Sequence, residues 1–325
     1  MKKKLFALIT ALTLSNFLFA LDFKITGYTG LSFGTIEEEL YASKARYLVS
    51  YLEWEEKPLV DLGALFEVNH SLFFANLNVT TALPLNCGNM YDSDYDSTKQ
   101  YLYSINQNKA GLNLQGDFFT GVKALTVDDF TLSPVIGLSL YYKNFTASDG
   151  YSWNGMKDKT GLDENVPWDS PQAVFVPQGK LSDVEITMKN LTAWLGFSFE
   201  YKFLENFYCS FGAFVSPYAY TWFLDDHKDN FVEVHGKSHA HQTMTETENF
   251  FTDFLLEFKA AWNFLPDQVL SLCVKYYVDN NDKSVTWKNG YINDMASYIE
   301  FAPSGQPSRI RSSRGSVYVG YSYLF

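Results

Sequence analysis

The chain has 325 residues, with 37 acidic against 25 basic side chains and a formal net charge of −12. Phe, Tyr and Trp make up 18% of it, while 20 Gly, 10 Pro and 3 Cys are too few for a collagenous, disordered or disulfide-framework protein. The acidic balance argues against a nucleic-acid partner, which calls for a basic stripe.

Lys2, Lys3 and Lys4 precede an apolar stretch from Leu5 to Ala20 that ends in Leu18-Phe19-Ala20. This is the pattern of a secretory signal peptide cleaved after Ala20. Ser15 and Asn16 interrupt the run, which is shorter than the ~20 residues of a spanning helix. The expectation is an exported chain of one domain, residues 21–325, with 1–20 removed. Cys87, Cys209 and Cys273 are far apart and odd in number, so no disulfide framework is implied.

From about residue 58 the sequence falls into a two-residue period. Val60, Leu62, Ala64 and Phe66 alternate with Asp61, Gly63 and Glu67. Phe73, Ala75, Leu77 and Val79 follow the same rule, as do Ala193 to Phe203 and Phe254 to Phe264. Successive side chains on a strand point to opposite faces, so each run has one apolar and one polar face. A soluble sandwich would alternate too. These apolar faces, however, are long and rich in Phe, Tyr, Trp and Leu, as a lipid-facing band with aromatic girdles requires. A membrane sheet cannot leave an edge unpaired, so it must close. Val317, Val319, Tyr321, Tyr323 and Phe325 alternate to the last residue, and a terminal Phe is similar to the closing strand of outer-membrane barrels, where it is read by the assembly machinery.

Tight turns are expected at 68–70, 127–129, 204–206 and 265–267, and longer polar stretches near 85–99, 149–181, 224–250 and 280–312. Short turns at one end and long loops at the other give a ten-stranded antiparallel transmembrane β-barrel with long extracellular loops. Chemistry is therefore expected at the long-loop end.

Two polar constellations lie there. Asp92 and Asp94, in Gly88-Asn89-Met90-Tyr91-Asp92-Ser93-Asp94, leave the same face of an extended backbone. Close carboxylates resist joint ionisation, so the pair can share a proton or hold a water. By spacing alone a solvated acidic loop is the commoner outcome, and the calcium-loop pattern it partly matches lacks its glycine and distal Glu. Asp225 and His227 repeat the spacing, and a carboxylate beside an imidazole fixes its tautomer and raises its basicity. Taken singly, neither pair defines an enzyme.

Together they resemble the omptin family of outer-membrane endopeptidases, which are built on ten-stranded barrels. Gly88-Asn89-Met90-Tyr91-Asp92-Ser93-Asp94 is similar to the family's Gly-Asn-Met-x-Asp-x-Asp segment, and Asp225-Asp226-His227 to its Asp-x-His. Gly34-Thr35 and Val49-Ser50-Tyr51-Leu52-Glu53-Trp54 support the match. The resemblance implies a peptide hydrolase in which Asp92 and Asp94 face Asp225 and His227 across a water, with no Ser or Cys nucleophile and no metal. It implies peptide or protein substrates at the cell surface and a site facing outward from the bacterial outer membrane.

The resemblance also implies acidic residues in the pocket for the residue before the cut. Glu38 matches one of them, its register blurred by Glu37 and Glu39; Phe223 stands where a second acid is expected. Cleavage after Arg or Lys is the default, and an apolar or mixed preference the alternative. The family's lipopolysaccharide requirement is carried by basic and polar outer-surface residues. At those positions this chain has Leu138, Leu140 and Tyr142, with Lys189 as one basic match. His235, His239 and His241 suit a transition metal by residue type, though a solvated loop is the commoner reading. Cys87 is read as structural, Cys209 as lipid-facing and Cys273 as interior. The rival reading from a different class is a non-catalytic barrel acting as an adhesin or narrow channel.

Overall fold

A computed structural model describes residues 21–42, 47–179, 183–234, 237–280, 284–291 and 298–325; the side chains of 229–241 and 281–305 are outside this description. The expected export signal therefore lies outside the described residues. So does the histidine cluster, either in backbone (His235) or in side chain (His239, His241).

The strands in chain order are β1 (Asp22–Tyr41), β2 (Leu48–Asn69), β3 (Phe73–Ala82), β4 (Asn86–Asp96), β5 (Lys99–Val122), β6 (Leu125–Val127), β7 (Phe130–Asn154) and β8 (Val174–Val176). Then follow β9 (Val184–Leu204), β10 (Phe207–Val234), β11 (Lys237–Asn249), β12 (Phe254–Leu265), β13 (Gln268–Asn280), β14 (Ser284–Tyr291) and β15 (Tyr298–Leu324). A four-residue helix, α1 (Lys157–Thr160), interrupts the connection after β7. Among the described residues every strand pairing is antiparallel, and β15 returns to pair with β1 from Lys24↔Leu324 to Leu40↔Ser308, which closes the ring.

The lower ring runs β1-β2-β3-β5-β7-β9-β10-β12-β13-β15. Toward the long-connection end three wall positions change hands. β4 replaces β3 between β2 and β5, and β11 and β14 replace β12 and β13 between β10 and β15. The wall is thus ten strands around at both levels. The expected tight turns are all present, the one before β7 with Asp128 at positive φ, a conformation Asp tolerates.

One expectation changes at this point. Much of 85–99, 224–250 and 280–312 is strand, not loop: β4, β10, β11, β14 and β15 carry the wall beyond the lipid band. The physical reason is solvent. Above the membrane both faces of a strand are wet, so the apolar–polar alternation fades although the ladder hydrogen bonds continue.

Lipid-facing residues form the expected band. On β9 alone Leu195, Phe197, Phe199, Tyr201 and Phe203 are exposed on one face, Phe197 at 52%. Cys209 shares the outward face of exposed Phe211, and Cys273 lines the interior cavity, as their places in the alternation require. The interior is filled with charge. Lys24 Nζ lies 2.6 Å from Glu67 Oε2, and Lys259 Nζ 3.3 Å from Glu67 Oε1; Lys275 Nζ is 2.8 Å from Glu257 Oε2. These groups border a cavity of about 540 Å³ that reaches Leu324 at the short-turn end.

An apolar layer caps this wet interior. Ile36, Leu52, Trp54, Met90, Phe145, Ile186, Met188, Phe223 and Ile310 belong to one buried cluster drawn from β1, β2, β4, β7, β9, β10 and β15. Cys87 is in the same cluster, a structural role as expected, and burial pushes its thiol up to about 12.

Candidate active site

Three strands that climb outward each place a candidate site residue two residues above this floor. On β1, Ile36 precedes Glu38; on β4, Met90 precedes Asp92; on β10, Phe223 precedes Asp225. Because the strand period is two, the polar residue points into the barrel directly above its apolar neighbour.

The register brings β1, β2 and β4 side by side, with Glu38↔Leu52 and Leu52↔Asp92 in one lateral row. Glu38 is 0% exposed. Its neighbours Glu37 and Glu39 both pair with Arg311, Glu37 at 3.1 Å. The ambiguity among the three glutamates is therefore resolved by alternation: Glu38 is the inward one.

Asp225 is 3% exposed, and its Oδ2 lies 2.9 Å from His227 Nε2. Behind this pair, Asp226 accepts a hydrogen bond from Gln242 at 2.9 Å, and Lys228 pairs with Glu185. The site is electrostatically one unit. Burial by itself would depress the His227 pKa, but Asp225, Asp92 and Glu38 outweigh it and push it up to about 9. Asp92 moves well above the ordinary carboxylate value, first through burial and then through Asp94, with His227 opposing. Burial and like charge thus push Asp92 toward its protonated form, while Asp225 and His227 form the ion-paired side. The four residues expected to act together sense one another across the barrel mouth.

Phe223 is 0% exposed and belongs to the floor, so the position expected to carry a second acid is a buried ring, and Glu38 is the inward carboxylate on β1. At the positions expected to recognise lipid phosphate, Leu138 and Leu140 face outward and are exposed. Lys189 Nζ sits 4.3 Å from the Trp222 ring centroid, a cation–π contact.

A further inward group was not legible from spacing. Tyr101, on β5, has Asp94 and Asp92 as its foremost electrostatic neighbours. Simple alternation sends it to the outer face, and only the pairing register reveals otherwise.

A pH dependence follows. A His227 acting as a base must be unprotonated, so any rate it supports is expected to climb between pH 7 and 9, above the ordinary imidazole range. Asp225→Asn removes the strongest neighbouring charge, which lowers the His227 pKa and moves the ascending limb to lower pH. A pH–rate series on the two proteins checks both statements.

These features define a class: a ten-stranded barrel of outer-membrane type with an acidic cup above a buried apolar layer. Among solved structures the chain is similar to the outer-membrane protease OmpT from Escherichia coli, with a TM-score of 0.75, 15% identity, and coverage of 94% of this chain and 97% of that one. At that identity the likeness establishes the fold, and it meets the fold implied by the omptin resemblance. Other barrels superpose loosely, such as OprG from Pseudomonas aeruginosa (TM-score 0.35, 11% identity, 94% and 96% covered) and the NalP translocator domain from Neisseria meningitidis (0.33, 10%, 93% and 88%). No protein-family model matches the chain, and neither does any curated protein.

Proposed function

We propose that this chain is an outer-membrane endopeptidase of omptin type, its cup facing outward and hydrolysing peptide bonds of proteins or peptides at the cell surface. The observation that supports it best is the Asp225–His227 hydrogen bond set opposite the Asp92–Asp94 pair above a dry floor. A His227 that donates its Nε2–H to Asp225 uses Nδ1 as the base. It takes a proton from a water held between the pairs as that water attacks the scissile carbonyl. Asp92 and Asp94, with one shared proton between them, position the water and return a proton to the leaving amine. The developing charge is met in a site with little bulk water, where fixed groups act strongly. Phe325 would address the chain to the barrel assembly machinery, and a membrane lipid could still activate it through residues other than Leu138, Leu140 and Tyr142.

The floor weighs against a channel. A buried apolar cluster lies between the cup and the charged interior, which disfavours an open ion path.

Glu38, the inward carboxylate on β1, suits a side chain with a cationic tip, while Phe223 in the floor supplies no second carboxylate. The test is a quenched fluorogenic peptide library cut by detergent-folded protein, with and without lipopolysaccharide. Cleavage after Lys or Arg is expected, and Glu38→Gln should cut kcat/KM for those substrates by about 10–100-fold, the scale of one buried charge-assisted hydrogen bond. Equal loss on basic and apolar substrates would remove Glu38 from the specificity pocket. A folded wild type that cuts nothing under any lipid condition would remove the enzyme reading and leave the adhesin.

A further inference from the structure

We propose that Tyr101 is a further substrate-contacting residue of this cup, its phenolic O–H donating to the scissile carbonyl oxygen as that oxygen becomes negative. The assignment rests on the endopeptidase reading and adds a residue that the carboxylate and imidazole motifs do not contain.

The geometry comes from the β4–β5 hairpin. Asp92 pairs with Ser104 and Asp94 with Leu102, but the next pair is Tyr95 with Gln100. One extra residue on β5, Tyr101, stands opposite the break. A one-residue bulge of this kind re-aims a side chain, and bulges recur beside active sites for that reason. Tyr103 shows where the undisturbed alternation leads: its ring is stacked with Tyr91 at 6.5 Å and with Trp153 at 6.2 Å on the outer surface. Tyr101, two residues away, would join that row without the bulge. Instead Gln100 takes the outward face, its Nε2 donating to Ser93 Oγ at 3.0 Å, so Tyr101 falls with Leu102 on the side of Asp94 and remains partly accessible.

The bulge is clamped by the segment that follows β7. Gly155 N donates to Tyr101 O at 2.7 Å, and Trp168 N to Gln100 O at 3.1 Å. Lys99 Nζ donates to Asn165 O at 2.7 Å, while Asn165 Nδ2 reaches back to Asp96 Oδ2 at 3.2 Å. Gly155 has to be glycine: a Cβ there would sit 2.0 Å from Val166 O and 3.1 Å from Tyr101 O. Four contacts from one connection thus hold three consecutive β5 residues and the end of β4, which is the rigid support a positioned donor needs.

The chemistry of the cup supplies the reason for such a donor. Its other inward groups include Glu38, Asp92, Asp94 and Asp225, so a second developing anion there is disfavoured unless a neutral donor meets it. A phenol beside carboxylates keeps its proton: burial, then Asp94 and Asp92, push its pKa up to about 12. Tyr101 therefore donates a hydrogen bond throughout the reaction and never gives up the proton, leaving proton transfer to His227 and the carboxylate pair.

Tyr101→Phe tests this, since it removes one oxygen and retains the ring. The expected result is a fall in kcat of about 10²-fold, the scale seen for one oxyanion donor, with KM little changed and the pH of the ascending limb unmoved. Folding is checked by far-UV circular dichroism, and His227→Ala is run beside it. If wild type cuts, His227→Ala is dead and Tyr101→Phe keeps full kcat, the assignment fails while the endopeptidase reading stands. A shifted ascending limb with unchanged limiting kcat would likewise overturn it, since the phenol would then act only on the titration of its neighbours. A folded wild type without activity overturns both.

Discussion

His227→Ala is expected to lower kcat/KM for peptide cleavage by about 10²–10⁴-fold, the range that a positioned acid–base group supplies. The variant should still fold, because His227 lies in the outer wall, above the lipid band and the floor, and is partly exposed. Asp92→Asn should be comparably inactive for a different reason. It retains shape and hydrogen bonding but removes the proton shared with Asp94, so the leaving amine loses its donor. The double variant should be no worse than the poorer single one, since groups that act as a unit are strongly non-additive. Steady-state kinetics on the three variants decide it. Residual activity within a few-fold of wild type in His227→Ala would mean that another group activates the water.

Arg314→Met is expected to be the most damaging single change to the barrel itself. Arg314 is 8% exposed on β15, and its Nη2 donates to Asp61 Oδ2 at 2.6 Å on β2 and to Ser32 Oγ at 2.9 Å on β1. Tyr318 adds a hydrogen bond to Asp61 at 3.2 Å, and Glu56, 4.0 Å from Arg314 Nε, is held from the other side by Lys143 at 2.7 Å. The network crosses the seam at which the last strand meets the first. Breaking a buried pair by removing one partner leaves an uncompensated charge and costs about 3–5 kcal/mol. Replacing both partners, Asp61→Leu with Arg314→Met, should recover a large part of that loss. Urea unfolding of the three proteins in detergent micelles provides the comparison. A double variant no more stable than the single would show that the seam is held by something other than the ion pair.

The outcome for particular residues separates what was legible in sequence from what was not. Val317 to Phe325 and Ala193 to Phe203 announce strands because lipid on one side and a charged interior on the other impose a two-residue period. Spacing marks Asp92 with Asp94 and Asp225 with His227 as same-face pairs, since two-residue separation on extended backbone puts side chains on one face, but only the omptin resemblance joins the two pairs into one candidate site. Above the membrane that signal weakens. β4, β11 and β14 read as polar loops, yet they take over wall positions from β3, β12 and β13. That exchange depends on which strands lie adjacent, and nothing local encodes it.

By itself the sequence determined a closed antiparallel barrel with its chemistry at the long-connection end, because hydrogen-bond satisfaction in lipid admits no open sheet. It also determined the residue types that could activate water. The tertiary structure alone decided that Glu38, not Glu37 or Glu39, points inward, that Phe223 is part of a buried apolar layer, and that Tyr101 turns toward the carboxylates. Each of these turns on register between strands far apart in the chain. A shift of one residue in register sends a side chain to the opposite face, and only the paired neighbour fixes which face that is.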